Sequence, residues 1–99
     1  MNEEVVRYIV NPDVSCREEG PEGALLYDPD TDRALVVNST GLLIWRILEQ
    51  PHTRDEVVAT LMERCNHAPP LEEVRQDVDG FIAQLRSRGF IGVYGGSVA

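Results

Sequence analysis

The sequence is poor in the side chains that build metal-held or catalytic frameworks. Its 99 residues include only two cysteines, Cys16 and Cys65, and two histidines, His52 and His67. Four soft ligands match the number that a structural zinc site needs, but zinc pairs lie about two to four residues apart in two sets, and here only Cys65 and His67 are close. No metal is expected; Cys65 reads as a small core residue and His52 as a loop residue. Positive charge is scarce too: nine basic residues against seventeen acidic ones give a formal charge of −8. That balance opposes non-specific attraction to nucleic acid or to an anionic membrane face, although a local stripe such as Arg75, Arg86 and Arg88 can override net charge. No apolar run exceeds four residues, far short of the roughly 18 that span a bilayer. The start, Met1, Asn2, Glu3 and Glu4, lacks the basic and apolar regions of a secretory signal. The expected setting is the reducing cytoplasm, with neither membrane nor nucleic acid as partner.

Chemistry is absent from the motifs as well. There is no Gly-rich phosphate loop, no nucleophile elbow and no Cys, His and acid in a known spacing, so neither an enzyme nor a cofactor is expected. Asp28, Asp30 and Asp32 alternate as in a calcium loop. The positions that would need glycine and glutamate, however, are Arg33 and Ser39, which leaves a polar hairpin turn shaped by Pro29.

What is present suits one small domain. A 42% hydrophobic chain of this length fills a single core, and a deep enclosed site would compete with that core for apolar side chains. An exposed groove or sheet edge is the less costly functional surface. Residues 1–13 read as an apolar extended arm (Val5, Val6, Tyr8, Ile9, Val10) closed by the turn Asn11, Pro12, Asp13. Residues 14–94 form the domain and residues 95–99 a flexible tail. Turn residues Gly20 to Gly23 and Asp28 to Asp32 separate three strands, at about 14–19, 24–28 and 33–37. The third strand is apolar on both faces after Arg33, so its outer edge should be covered or offered to a partner. A further strand is possible at Phe90 to Tyr94.

Three helices follow. Asn38 or Ser39 caps the first, whose apolar residues wrap widely around Ile44, Trp45 and Leu48 before Pro51 stops it. Thr53 and Glu56 form a capping box for the second, with Val57, Val58, Leu61, Met62 and Cys65 on its apolar face. Pro70 suits the first turn of the third, Glu72 and Glu73 its positive end, Arg86 and Arg88 its negative end, and Gly89 a left-handed stop. Its core stripe is Val74, Val78, Phe81 and Leu85, and Gly80 suggests a close neighbour on that side. The expected core centre is Leu26, Leu35, Val37, Ile44, Trp45, Leu48, Val58, Leu61, Val74, Val78, Phe81 and Leu85. The fold expected is α+β and winged-helix-like, a three-stranded antiparallel sheet followed by a three-helix bundle. That arrangement admits a DNA-binding regulator, but the exposed Glu72, Glu73, Gln76 and Asp79 of the third helix oppose it.

From about Val14 to Val93 the chain resembles the PqqD-like family, peptide chaperones also called RiPP recognition elements. The matching pieces are Ala24, Leu25, Leu26, Tyr27, Asp28; Leu35, Val36, Val37, Asn38, Ser39, Thr40, Gly41; Ile44, Trp45; Thr53; and Asp77, Val78, Phe81, Ile82, Leu85, Gly89, Phe90, Ile91. The Val-Val-Asn-Ser-Thr and Ile-Trp pieces look more like the broad group than like the members that serve pyrroloquinoline quinone biosynthesis.

The resemblance implies a non-catalytic chaperone, monomeric or weakly dimeric. It would bind the leader of a ribosomally made precursor peptide by strand addition between the third strand and the third helix, then present it to a radical S-adenosylmethionine or other peptide-modifying enzyme. On the residues, the expected peptide site is Ala34, Leu35, Val36 and Val37 with Arg75, Asp79, Ile82 and Arg86, the positions one step beyond the core stripe. A leader with leucine-like anchors and nearby carboxylates would suit it.

Overall fold

The computed structural model describes residues 6–20, 23–64 and 69–94. The element order is β1 (Arg7–Val10), β2 (Ser15–Glu18), β3 (Gly23–Asp28), β4 (Arg33–Asn38), α1 (Ser39–Ile47), β5 (His52–Thr53), α2 (Arg54–Arg64), α3 (Leu71–Ser87) and β6 (Ile91–Val93). The three expected strands and three helices are all present. The sheet count differs: β2-β3-β4 form one antiparallel sheet and β5-β1-β6 a second.

The second sheet takes in the apolar arm. Tyr8, Ile9 and Val10 of β1 pair with Val93, Gly92 and Ile91, while Arg7 and Tyr8 pair with Thr53 and His52. The N–H groups of Val10 and Asn11 donate to the carbonyls of Leu48 and Phe90, both at 2.9 Å, so the arm is tied to the ends of α1 and α3. The possible last strand is real, but it joins β1 and not the edge of β4. Strand β5 is not legible in the sequence because two residues carry no usable period; its pairing partner distant in sequence defines it.

The helix ends follow the local chemistry. The Asn38 Oδ1 accepts the Gly41 N–H at 2.9 Å, letting β4 run into α1 with no loop. Thr53 N–H donates to Glu56 Oε1 at 2.9 Å and Glu56 N–H to Thr53 Oγ1 at 3.0 Å, the reciprocal capping box. Helix α3 ends on Gly89 at φ +76°. There Phe90 N–H donates to the Leu85 carbonyl and Gly89 N–H to that of Arg86, a Schellman stop whose two apolar partners, Leu85 and Phe90, are both fully buried.

The core unites the inner face of β2-β3-β4 with all three helices. Of the expected centre, Leu35 and Phe81 are only half-buried, while Val14, Ala24, Val57, Ile82, Phe90 and Ile91 join the buried set. Gly80 has no close neighbour; a Cβ there would meet nothing within 4 Å. The tight glycine is Gly41, where a Cβ would stand 2.9 Å from Val37 Cβ and 3.2 Å from Phe81 Cζ. The turn after β3 is a polar hairpin turn: buried Asp28 accepts from Asp30 N–H and the Thr31 hydroxyl, and Asp32 adopts φ +58°. Residues 95–99 and Cys65 lie outside the described residues. None of the described helices is long and apolar enough to cross a membrane.

Candidate functional site

Strand β4 is at the margin of its sheet, so every second residue turns its N–H and C=O away from β3. The other margin, β2, is blunted by charge: Glu18 pairs with Arg46 and Arg17 with Glu19, a common protection against unwanted pairing. Among the described residues, no ion pair guards the middle of β4. Val36 is 78% exposed, the largest value among the exposed large hydrophobic residues, beside half-buried Leu35 and buried Val37. The unpaired backbone groups of such an open strand edge are able to accept a further strand.

An open groove of about 370 Å³ runs along this edge. Leu35 to Asn38 form one wall, Thr40, Gly41 and Ile44 of α1 the floor, and Asp77, Phe81 and Gln84 of α3 the opposite wall. The Gly41 position sets its depth, because the first turn of α1 can approach Val37 and Phe81 only without a side chain there. A smaller hollow of about 130 Å³, lined by Leu61, Pro69, Val74 and Val78, adjoins it and shares Thr40, Ile44 and Asp77. A third depression lies on the outer face of β3 and β4, lined by Glu19, Gly23, Ala24, Leu25 and Val36 to Asn38. Val36 therefore borders surface on both sides of its strand.

The structure brings together only half of the residues expected for a site. Leu35, Val36 and Val37 line the groove, and Ala34 lies exposed on the same strand. The α3 residues do not. Ile82 is a buried core residue. The Asp79 carboxylate pairs with Arg54 at 3.0 Å, and the Arg86 guanidinium carbon sits 5.7 Å from the centre of the Tyr8 ring, against the second sheet. Arg75, Asp79, Ile82 and Arg86 lie about half a turn around the helix from Asp77. The buried stripe has two flanks, and the four expected residues lie toward the one that faces the second sheet. Phe81 marks the other flank: the largest apolar residue of α3 stands at the stripe's edge, in line with Asp77 and Gln84 at helical spacing.

Elsewhere the polar groups serve structure. The Tyr27 hydroxyl donates to Asp32 Oδ1 at 2.7 Å, and that bond, with the nearby carboxylates, raises the phenol above its ordinary value. Burial pushes the Cys16 thiol up; Arg46 opposes the rise and Glu49 adds to it. Cys16 lies on β2 and His52 on β5, in separate sheets, while Cys65 and His67 are outside the described residues. Among the described residues, no three His, Cys, Asp or Glu side chains are grouped to hold a metal ion.

A family model described as coenzyme PQQ synthesis protein D (PqqD) matches residues 23–91, which includes every lining residue of the groove. No curated protein matches. Among solved structures, a protein described as TbiB1 in complex with the TbiA(beta) leader peptide is 17% identical, with a TM-score of 0.71 over 91% of this chain and 99% of that one. A lasso peptide synthetase B1 complexed with its leader peptide is 19% identical, with a TM-score of 0.71 over 86% and 96%. The heterocyclase TruD shares 16% identity and a TM-score of 0.65 over 95% of this chain, but only 12% of its own length. Identities this low show a common fold.

Proposed function

The chain belongs to the PqqD family, and from that premise we propose that it is a peptide chaperone, a RiPP recognition element that holds the leader of a ribosomally made precursor peptide and presents it to a modifying enzyme. The observation that carries the reading is the open edge of β4, with Val36 exposed beside a groove whose far wall is α3. An extended peptide entering there would gain main-chain hydrogen bonds from β4, and its alternate side chains would reach the groove. Two solved proteins of the same fold were determined with leader peptides, which supports a leader peptide as the ligand.

The proposed contact residues are Ala34, Leu35, Val36 and Val37 on the strand, with Asp77, Phe81 and Gln84 replacing the four α3 positions on the opposite flank. The modifying enzyme would be a radical S-adenosylmethionine protein or another peptide-modifying enzyme, and the chain itself would be non-catalytic and act in the cytoplasm. A DNA-binding reading finds no support in the surface. The α3 helix exposes Glu72, Glu73, Asp77 and Asp79, which phosphate would repel.

The test is fluorescence anisotropy with a labelled peptide made from the first half of a short open reading frame beside this chain's gene. Saturable binding that Phe81→Ala weakens about tenfold or more, in the range expected of a buried aromatic anchor, supports the reading. Equal affinity for that peptide and for a scrambled one, or salt-sensitive binding to random duplex DNA in its place, overturns it.

A further inference from the structure

The groove and the adjoining hollow share one charged residue. Asp77 lines both, between the apolar wall of the first (Leu35, Val37, Phe81) and that of the second (Leu61, Val74, Val78). The remaining polar lining, Asn38, Thr40 and Gln84, is neutral. Among the described ion pairs, the arginines engaged are Arg17, Arg46 and Arg54, and their partners are Glu19, Glu18, Asp55 and Asp79; Asp77 takes part in none. The nearest basic residues along its helix, Arg75 and Arg86, project from the far side. Asp77 is thus the one charged residue among the described lining of both hollows, and among the described residues no ion pair engages it, in a chain of net charge −8.

We propose that this groove selects a basic peptide segment, one whose lysine or arginine side chain seats on Asp77 while apolar neighbours fill the cleft on either side. The inference rests on the peptide-binding reading and adds the chemistry of the peptide, replacing an acidic leader with a cationic one. Geometry fixes the spacing. Asp77 and Phe81 are four residues apart on a helix, about 6 Å at 1.5 Å per residue. Side chains on the same face of an added strand recur every two residues, about 6.6 Å. The basic residue therefore lies two positions from an aliphatic or aromatic one. Asp77, unlike Gln84, also lines the adjoining hollow with Thr40, which follows the C-terminal end of β4, so antiparallel addition to β4 puts the basic residue first, and parallel addition puts it second. The field of the acidic chain would also speed the encounter with a cationic peptide.

The experiment is selection from a display library of random peptides on the full chain, run in parallel on Asp77→Asn and Asp77→Lys; the exposed position makes both substitutions compatible with folding. The expected wild-type pool is enriched in Lys or Arg two positions from Leu, Ile or Phe. In the Asn variant the basic preference falls while the apolar spacing persists, and in the Lys variant it inverts to Asp or Glu. For a single selected peptide, Asp77→Asn should lower affinity about three- to tenfold, the range of a partly exposed charge-assisted contact. Wild-type pools with the apolar spacing but no basic preference, or pools that Asp77→Lys leaves unchanged, overturn the inference and leave peptide binding standing. Pools without any common sequence overturn both.

Discussion

Gly41 on α1 and Phe81 on α3 meet across the floor of the groove, so closely that a Cβ on Gly41 would lie 3.2 Å from the Phe81 ring and 2.9 Å from Val37 Cβ. Gly80, on α3 beside Phe81, faces open space. The two glycines should therefore respond oppositely to the same change. Gly80→Ala is expected to stabilise the fold by about 0.5–1 kcal/mol through helix propensity. Gly41→Ala is expected to destabilise it by about 1 kcal/mol or more, because overpacking against a buried valine outweighs that gain. Denaturant midpoints of the two variants check both signs.

Ile82 and Phe81 exchange the roles that sequence periodicity gave them: Ile82 is in the core and Phe81 lines the groove. Ile82→Ala should cost about 2–5 kcal/mol, as buried aliphatic truncations do. Phe81→Ala should cost less, about 1–2 kcal/mol, since the ring is half-buried and loses only part of its transfer energy. Urea denaturation of both variants reports the order; a larger loss for Phe81→Ala would return that residue to the core.

The capping box of α2 gives a third expectation. Thr53→Ala removes the acceptor of the Glu56 N–H and should cost about 1 kcal/mol, within the range for such caps. Thermal unfolding of the variant, compared with Thr53→Ser, which keeps the hydroxyl, separates the hydrogen bond from the methyl group.

Tyr27 supplies a pH-dependent signal. Ionising its phenol breaks the bond to Asp32 and sets negative charge beside carboxylates, so the folded pKa is raised above the ordinary value. The sign follows. The hydrogen bond's contribution is fully present below the unfolded value, about 10, and is lost as pH rises through the folded one. The difference in phenolate absorbance between the parent and Tyr27→Phe should show a midpoint above 10; a midpoint at or below it would remove the bond.

Much of the fold was legible because local chemistry and tertiary packing agree on it. Asn38, Thr53 with Glu56, and Gly89 announce helix ends that the structure uses with the expected partners, and Leu26, Trp45, Leu48, Val78 and Leu85 are buried as their spacing implies. Of the second sheet, the extended arm and the strand near Phe90 to Tyr94 were legible, but not their pairing or the two-residue β5, since both β5 and β6 depend on the distant β1. For the site, β4 announced itself by being apolar on both faces. Periodicity locates the buried stripe of α3 but is symmetric about it. Which flank faces β4 depends on how α1 and α3 pack, a relation set by the bare backbone at Gly41 and invisible in the spacing of α3 itself.

The central claim, that an extended peptide adds to β4 opposite α3, is tested most directly by amide hydrogen exchange and chemical shifts of the isotope-labelled chain, titrated with the tightest peptide from the random library. The account predicts slowed exchange at every second amide between Arg33 and Asn38, where the edge gains partners, together with shifts at Asp77, Phe81 and Gln84. Unchanged exchange along β4, with shifts confined to Tyr8, Arg75 and Arg86 on the opposite flank of α3, would contradict it.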